Sequence, residues 1–129
     1  MRPALLFILV LFILLSCKKS EPVSPGLFGK WELRRMYGGF AGFDSVYKAG
    51  NGRIFQLNSD SSYTQFNKGK AINEGTFHIR ANAPGVTPVV EILFDNTISG
   101  EPFVFSGTSM TIGEDFDDSI ASDYQKIAN

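Results

Sequence analysis

The sequence predicts an all-β fold: a small antiparallel up-and-down β-barrel of about eight strands, preceded by a signal-peptide helix and a flexible tether. Three observations carry this prediction. From Leu27 onward, apolar residues recur mostly at every second position, the period of a half-buried strand rather than a helix. The chain of 129 residues holds 12 Phe and 13 Gly, and aromatics punctuated by glycine suit strands joined by tight turns. The apolar runs are short and closely spaced, and a meander of such strands removes its exposed edges by closing into a barrel. An open sandwich of the same strands is the competing architecture.

The first element is a leader, residues 1–16. Met1 and Arg2 give it a positive start, and Pro3 to Leu15 is an almost unbroken apolar run. That run is too short to span a bilayer comfortably and has the size of a signal-peptide core. The tetrad Leu14-Leu15-Ser16-Cys17 resembles the bacterial lipobox. The resemblance implies cleavage before Cys17, a diacylglyceryl thioether on its sulfur and commonly an acylated amine, palmitate being a typical chain. Each buried methylene contributes roughly 0.8 kcal/mol, so several chains hold a protein stably at a membrane. Residues 17–26, with Lys18, Lys19, Pro22 and Pro25, read as a polar flexible tether. Cys17 is the lone cysteine, so no disulfide framework or thiolate metal cluster is expected.

Residues 27–129 form one domain. Trp31 and Leu33 alternate with Glu32 and Arg34 in a first strand. Tyr37 to Gly52 is rich in glycine and reads as a long loop with a lid, carrying Phe40, Phe43 and Tyr47. Phe55 and Leu57 share a face of the next strand, Ser59-Asp60-Ser61 turns the chain, and Ser62 to Phe66 completes a hairpin. After the turn at Asn67-Lys68-Gly69-Lys70, Phe77 and Ile79 alternate with Thr76, His78 and Arg80. Asn82 to Gly85 breaks the chain. Val90, Ile92 and Phe94 then alternate with Glu91 and Leu93, Phe103 shares a face with Phe105, and Met110 with Ile112. A last strand, Ser122 to Ile127, follows an acidic loop.

Gly29-Lys30-Trp31 resembles the Gly-x-Trp opening of lipocalin-like domains, in which the indole closes one end of the barrel. Its company is Phe55, Asp60 and Tyr63 on a strand-turn-strand, then Asn73-Glu74-Gly75-Thr76-Phe77, and a terminal Asp123-Tyr124-Gln125-Lys126-Ile127. Behind a lipobox, this arrangement resembles the lipocalin-like lipoproteins of the Bacteroidetes type over roughly residues 27 to 128. The resemblance implies Trp31 as the barrel-closing residue and a tendency to bind small apolar molecules. Lys18 after the cysteine does not resemble an aspartate-type retention signal, which implies the outer membrane of the cell envelope and leaves the periplasmic or surface face open. The domain is shorter than a full lipocalin and no helix follows it. A short eight-stranded barrel can be filled by its own side chains.

The side chains expected to face the axis, and so to line a ligand pocket, are Leu33, Phe55, Leu57, Tyr63, Phe77 and Ile79 from the first half of the domain. Ile92, Phe94, Phe103, Phe105, Met110 and Tyr124 complete the set in the second half. An apolar, aromatic lining suits a small hydrophobic or amphipathic ligand, and it suits a plain core equally well. The alternative is therefore a solid barrel that docks to another envelope protein through its outside, the aromatic loop at Tyr37 to Gly52 being the candidate surface.

Other functions find little support. The formal charge is −1, which gives no electrostatic footprint for nucleic acid. His78 is the single histidine and falls on the outward face, without the companions that a general base or a metal ligand needs. Glu114-Asp115-Phe116-Asp117-Asp118 reads as a solvated acidic loop. Calcium is its alternative occupant, but there is no central glycine and the twelfth place from Asp115 is Lys126. No nucleophile elbow, phosphate-binding loop or zinc-protease motif is present, so neither an enzyme, a cofactor nor a metal is expected.

Overall fold

The computed structural model describes residues 26–81 and 90–128. The leader, Cys17 and the tether as far as residue 25 lie outside the described residues, as does the chain break at Pro84-Gly85. Every regular element described is a strand: β1 (Gly29–Gly38), β2 (Phe43–Val46), β3 (Arg53–Leu57), β4 (Ser62–Asn67), β5 (Lys70–Ala81), β6 (Val90–Phe94), β7 (Glu101–Ser106), β8 (Ser109–Ile112) and β9 (Ile120–Ile127). The sheet runs β2-β1-β3-β4-β5-β6-β7-β8-β9, and β1 also pairs with β9. All pairings are antiparallel. Eight strands, β1 and β3 to β9, therefore close a barrel rather than an open sandwich, and β2 lies beside β1 as a ninth.

The segment Tyr37 to Gly52 corrects the loop expectation. β1 runs on to Gly38, and Phe43–Val46 returns along it, pairing Arg35 with Val46 and Gly38 with Phe43. The cause is a bulge between Leu33 and Arg35 in the β1–β9 ladder. One extra residue, Arg34, reverses the inside-outside alternation, so Met36 rather than Arg35 or Tyr37 takes up the inward rhythm. The first half of β1 pairs with β3 and the second half with β2. Backbone groups released at this switch are recaptured. Tyr47 N donates to Arg34 O at 2.8 Å, and Asn51 Nδ2 donates to Leu33 O at 2.8 Å and Lys48 O at 2.7 Å.

The barrel has two unlike ends. At one end lie the start of β1, the end of β9 and the turns after β3 and β7. Here Trp31 is fully buried, and its Nε1 donates to Leu27 O at 2.8 Å. Phe105 meets the indole edge-on at 5.8 Å between centroids. Lys126 stands 5.3 Å above the same ring and donates from Nζ to Gly26 O. The indole thus floors the barrel.

Above the floor, the middle is solid. Phe55, Leu57, Tyr63, Phe77, Ile92, Phe103 and Met110 form one buried cluster with Trp31. Phe55 lies 5.5 Å from both Tyr63 and Phe94 and 5.9 Å from Tyr124. Such pairs add about 0.5–1.5 kcal/mol each beyond simple burial.

Ile79 and Phe105 depart from expectation, remaining 40% and 38% exposed. β4 stops at Ser62, opposite Thr76, so beyond that point β5 has only β6 beside it and Ile79 sits at the rim. Phe105 caps the floor from outside the aromatic middle. Conversely Leu93, on the outward side, is 2% exposed, because the 95–100 loop folds over it. A Cβ on Gly100 would stand 2.8 Å from Glu91 Cβ and 3.1 Å from Leu93 Cδ1.

Candidate functional site

At the end opposite Trp31, the barrel opens into a pocket of about 330 Å³. Two local features produce it. β1 is bulged at Arg34, and β5 is bulged at Ile72, where Gln65 pairs with Asn73 but Phe66 pairs with Ala71. Bulges bend a strand and increase its twist, and they favour barrel rims. These two flank the β3–β4 hairpin, which makes the wall between them.

Leu33, Met36, Phe55 and Tyr124 supply the apolar inner surface, while Ile72 and Phe66 border the rim. Arg53, Gln65 and Asn67 supply the polar part. Arg53 pairs with Asn67 and Phe55 with Gln65 across the hairpin, so these four side chains stand on the inner face in two rungs. Lys68 and Gly69, both at positive φ (50° and 80°), form the two-residue turn that joins β4 to β5 beside Asn67, with the twist the two strands need.

Of the twelve side chains expected to line a pocket, Leu33, Phe55 and Tyr124 border this one. Leu57, Tyr63, Phe77, Ile92, Phe103 and Met110 lie in the filled middle, with Phe94 packed against them. Met36, Arg53, Gln65 and Asn67 escaped sequence reasoning. The alternation starting from Phe55 already carried the signal for Arg53, since the two are two residues apart on one strand. Met36 was hidden by the bulge.

The two inward tyrosines differ. Tyr124 borders the pocket, and burial pushes its phenol above the ordinary value, against a smaller opposing effect of a hydrogen bond with Ser122. Tyr63 is occupied elsewhere. Its hydroxyl donates to Asp95 Oδ2 at 3.2 Å and accepts from Asn73 Nδ2 at 3.3 Å. Burial, then the Asp95 charge, raises its pKa. Asp95 Oδ1 also accepts from Thr76 N at 3.0 Å, so one carboxylate latches the end of β6 to β5 and to the core.

Beyond that latch, β5 from Lys70 to Gly75 pairs with β4 alone. A shallow groove lined by Ala71, Ile72, Asn73 and Glu74 runs along this unpaired edge. Around the mouth, loop residues Phe40, Ile98 and Phe116 are 95%, 92% and 69% exposed. The acidic loop is tied to the β1–β2 turn, with Phe40 N donating to Asp118 Oδ1 at 3.2 Å and Gly39 N to Ser119 O at 2.8 Å. Among the described residues no three His, Cys, Asp or Glu side chains converge as metal ligands would, and His78 is exposed.

Burial also lowers the pKa of Lys126, the ammonium over Trp31. Its place follows from Tyr124, two residues earlier on the same strand and also facing inward.

Comparison with protein-family models, with curated proteins and with solved structures finds no match to this chain.

Proposed function

We propose that this protein is a membrane-anchored, lipocalin-like lipoprotein of the cell envelope that holds a small hydrophobic or amphipathic molecule in the mouth of its barrel. One observation carries the ligand-binding reading: a pocket of about 330 Å³ bordered by Leu33, Met36, Phe55 and Tyr124, with a few polar groups on one side. That size is at the lower end for small-molecule sites, and the apolar lining with sparse polar groups is their usual character. The filled middle of the barrel restricts the ligand to the mouth. The anchoring reading rests on the lipobox-like Leu14 to Cys17. Gly26 and Leu27 lie beside the Trp31 floor, so a lipid anchor on Cys17 would tether the domain from the end remote from the pocket.

The test uses delipidated, leaderless protein in native mass spectrometry, with displacement of an apolar fluorescent dye as a second readout. A bound small molecule, or dye displaced in a saturable manner, is expected. A barrel that retains nothing and takes up no apolar probe overturns the ligand reading.

A second reading has its own support, the apolar loop tips Phe40, Ile98 and Phe116 around the mouth. Isolated exposed apolar residues are ordinary, but several at one end of a domain are a feature of contact surfaces. Here the barrel is an interaction module of the envelope, and its partner covers the mouth. Pull-downs with Phe40→Ser and Phe116→Ser protein test it: unchanged partners count against this reading.

A further inference from the structure

We propose that the mouth pocket selects a small carboxylic acid, bound as its carboxylate, and that Arg53 is the specificity-determining residue. The inference rests on the ligand-binding reading above and names the ligand class. Arg53 is the one charged side chain among the described residues that border the pocket. Arg34, Arg35 and Arg80 each have a carboxylate in contact, Glu32 at 2.8 Å, Asp44 at 2.8 Å and Glu91 at 2.6 Å. Arg53 has no such partner among the described residues.

Its guanidinium is nevertheless held in position. It lies 4.8 Å over the ring of Tyr47, and the Tyr47 hydroxyl contacts Met36 Sδ at 3.8 Å, which ties the stack to the pocket wall. Stacking on an aromatic face leaves the edge N–H groups of a guanidinium available, and that planar fork matches a carboxylate in bidentate fashion.

The neighbours fit the same ligand. Asn67 is the cross-strand partner of Arg53, and Gln65 that of Phe55. Gln65 receives one long contact, from Asn73 Nδ2 to its Oε1 at 3.5 Å, so its amide donors remain for a ligand oxygen. Leu33, Met36, Phe55 and Tyr124 then face a short aliphatic chain or a ring. One cation with amide donors suits a single negative charge better than a phosphate dianion. The four carboxylates of the 114–118 loop do not border the pocket, and salt screens exposed charges beyond about 8–10 Å.

The test is calorimetric titration of the purified full chain with octanoate, 1-octanol and octylammonium, which share a tail and differ in head group. Octanoate is expected to bind at least about tenfold tighter than the alcohol, as a charge-assisted hydrogen-bonded pair requires, and octylammonium is expected to bind weakest. Arg53→Gln should bring octanoate down to the level of octanol, the loss being at least about tenfold greater for the acid than for the alcohol. Because Arg53 is exposed, the variant should keep the parent melting temperature. Equal binding of acid and alcohol, or a preference surviving Arg53→Gln, overturns the carboxylate inference and leaves the pocket reading standing. Failure of all three probes to bind overturns both.

Discussion

Replacing Gly75 with alanine drives a methyl group into the space that Asp95 occupies. A Cβ built on Gly75 stands 2.0 Å from Asp95 Oδ1, 2.9 Å from its Cγ and 3.0 Å from Tyr63 Cε1. The Asp95 backbone cannot retreat easily, because its N donates to Thr76 O at 2.6 Å and its φ is 54°. The side chain must therefore swing out. Doing so gives up the bonds from Thr76 N at 3.0 Å and from the Tyr63 hydroxyl at 3.2 Å. Hydrogen bonds to a charged group contribute about 1.5–3 kcal/mol, and the Tyr63 hydroxyl loses a partner at a largely buried site. Asp95 is itself exposed, which moderates the total to about 2–4 kcal/mol. For a domain of this size that corresponds to a fall in Tm of roughly 10–20 °C.

Thermal unfolding followed by circular dichroism measures the fall, and a double-mutant cycle assigns it. Asp95→Gly keeps the left-handed backbone and removes the obstacle. In that background Gly75→Ala should cost at least about 1.5 kcal/mol less than in the parent, as expected for two groups in direct contact. A fall in Tm below about 2 °C, or strictly additive effects in the cycle, refutes the latch.

Three further outcomes follow from the same geometry. Trp31→Ala should destabilise the fold by about 3–5 kcal/mol, since it opens the floor and strands Phe105, Leu27 O and Lys126; chemical denaturation with an unchanged midpoint would contradict the floor role. Asn51→Ala should cost about 1–3 kcal/mol, because Leu33 O at the bulge loses its donor, and hydrogen exchange should quicken in β2 before it does in β7. Burial is the leading reason that the phenols of Tyr37, Tyr63 and Tyr124 are held above 10.0. The folded chain thus keeps protons that the unfolded chain has released, so stability falls as pH rises from 10.0 toward the folded values. Urea midpoints at roughly pH 9 and 11 should drop between the two, less so for Tyr124→Phe; a constant midpoint would contradict the assignment.

The strand rhythm was legible because one wall of each strand meets the core and the other meets water. Phe55 with Leu57, and Phe103 with its neighbours on β8, therefore announced their faces in the residue order. Two things broke the rhythm. A bulge adds one residue without any marker in composition, so Arg34 concealed that Met36 faces the pocket and that Phe43–Val46 forms a strand. Loop cover is equally invisible to alternation, which is why Leu93, on an outward position, is buried under the 95–100 loop; Glu32, also outward, is buried in an ion pair with Arg34. Strand length matters too: Ile79 has the inward parity, yet β4 ends too early to enclose it. The pocket was only partly legible. Its apolar side follows from Leu33, Phe55 and Tyr124, whereas its polar side depends on Arg53 and Asn67 meeting across a hairpin whose register only the folded chain sets.

The division of labour between the two ends explains how such a small barrel can keep an open mouth. Stability is concentrated in the floor and the aromatic middle: Phe55, Tyr63 and Phe94 meet one another through edge-on and tilted rings, and Trp31, buried in the same cluster as Phe55 and Tyr63, meets Phe105 edge-on. The mouth contributes little to that packing. Its polar residues Arg53 and Asn67 are exposed, and its width comes from two bulges rather than from a missing core side chain. Each bulge is compensated nearby, Arg34 by Tyr47 and Asn51, and the splayed edge past Ile72 by the Asp95 latch. Substitutions at Arg53, Gln65 and Asn67 can therefore alter what the mouth accepts without loosening the barrel. Substitutions at Asn51, Gly75 or Asp95 act in the opposite sense, changing the shape of the mouth by releasing the strands that frame it.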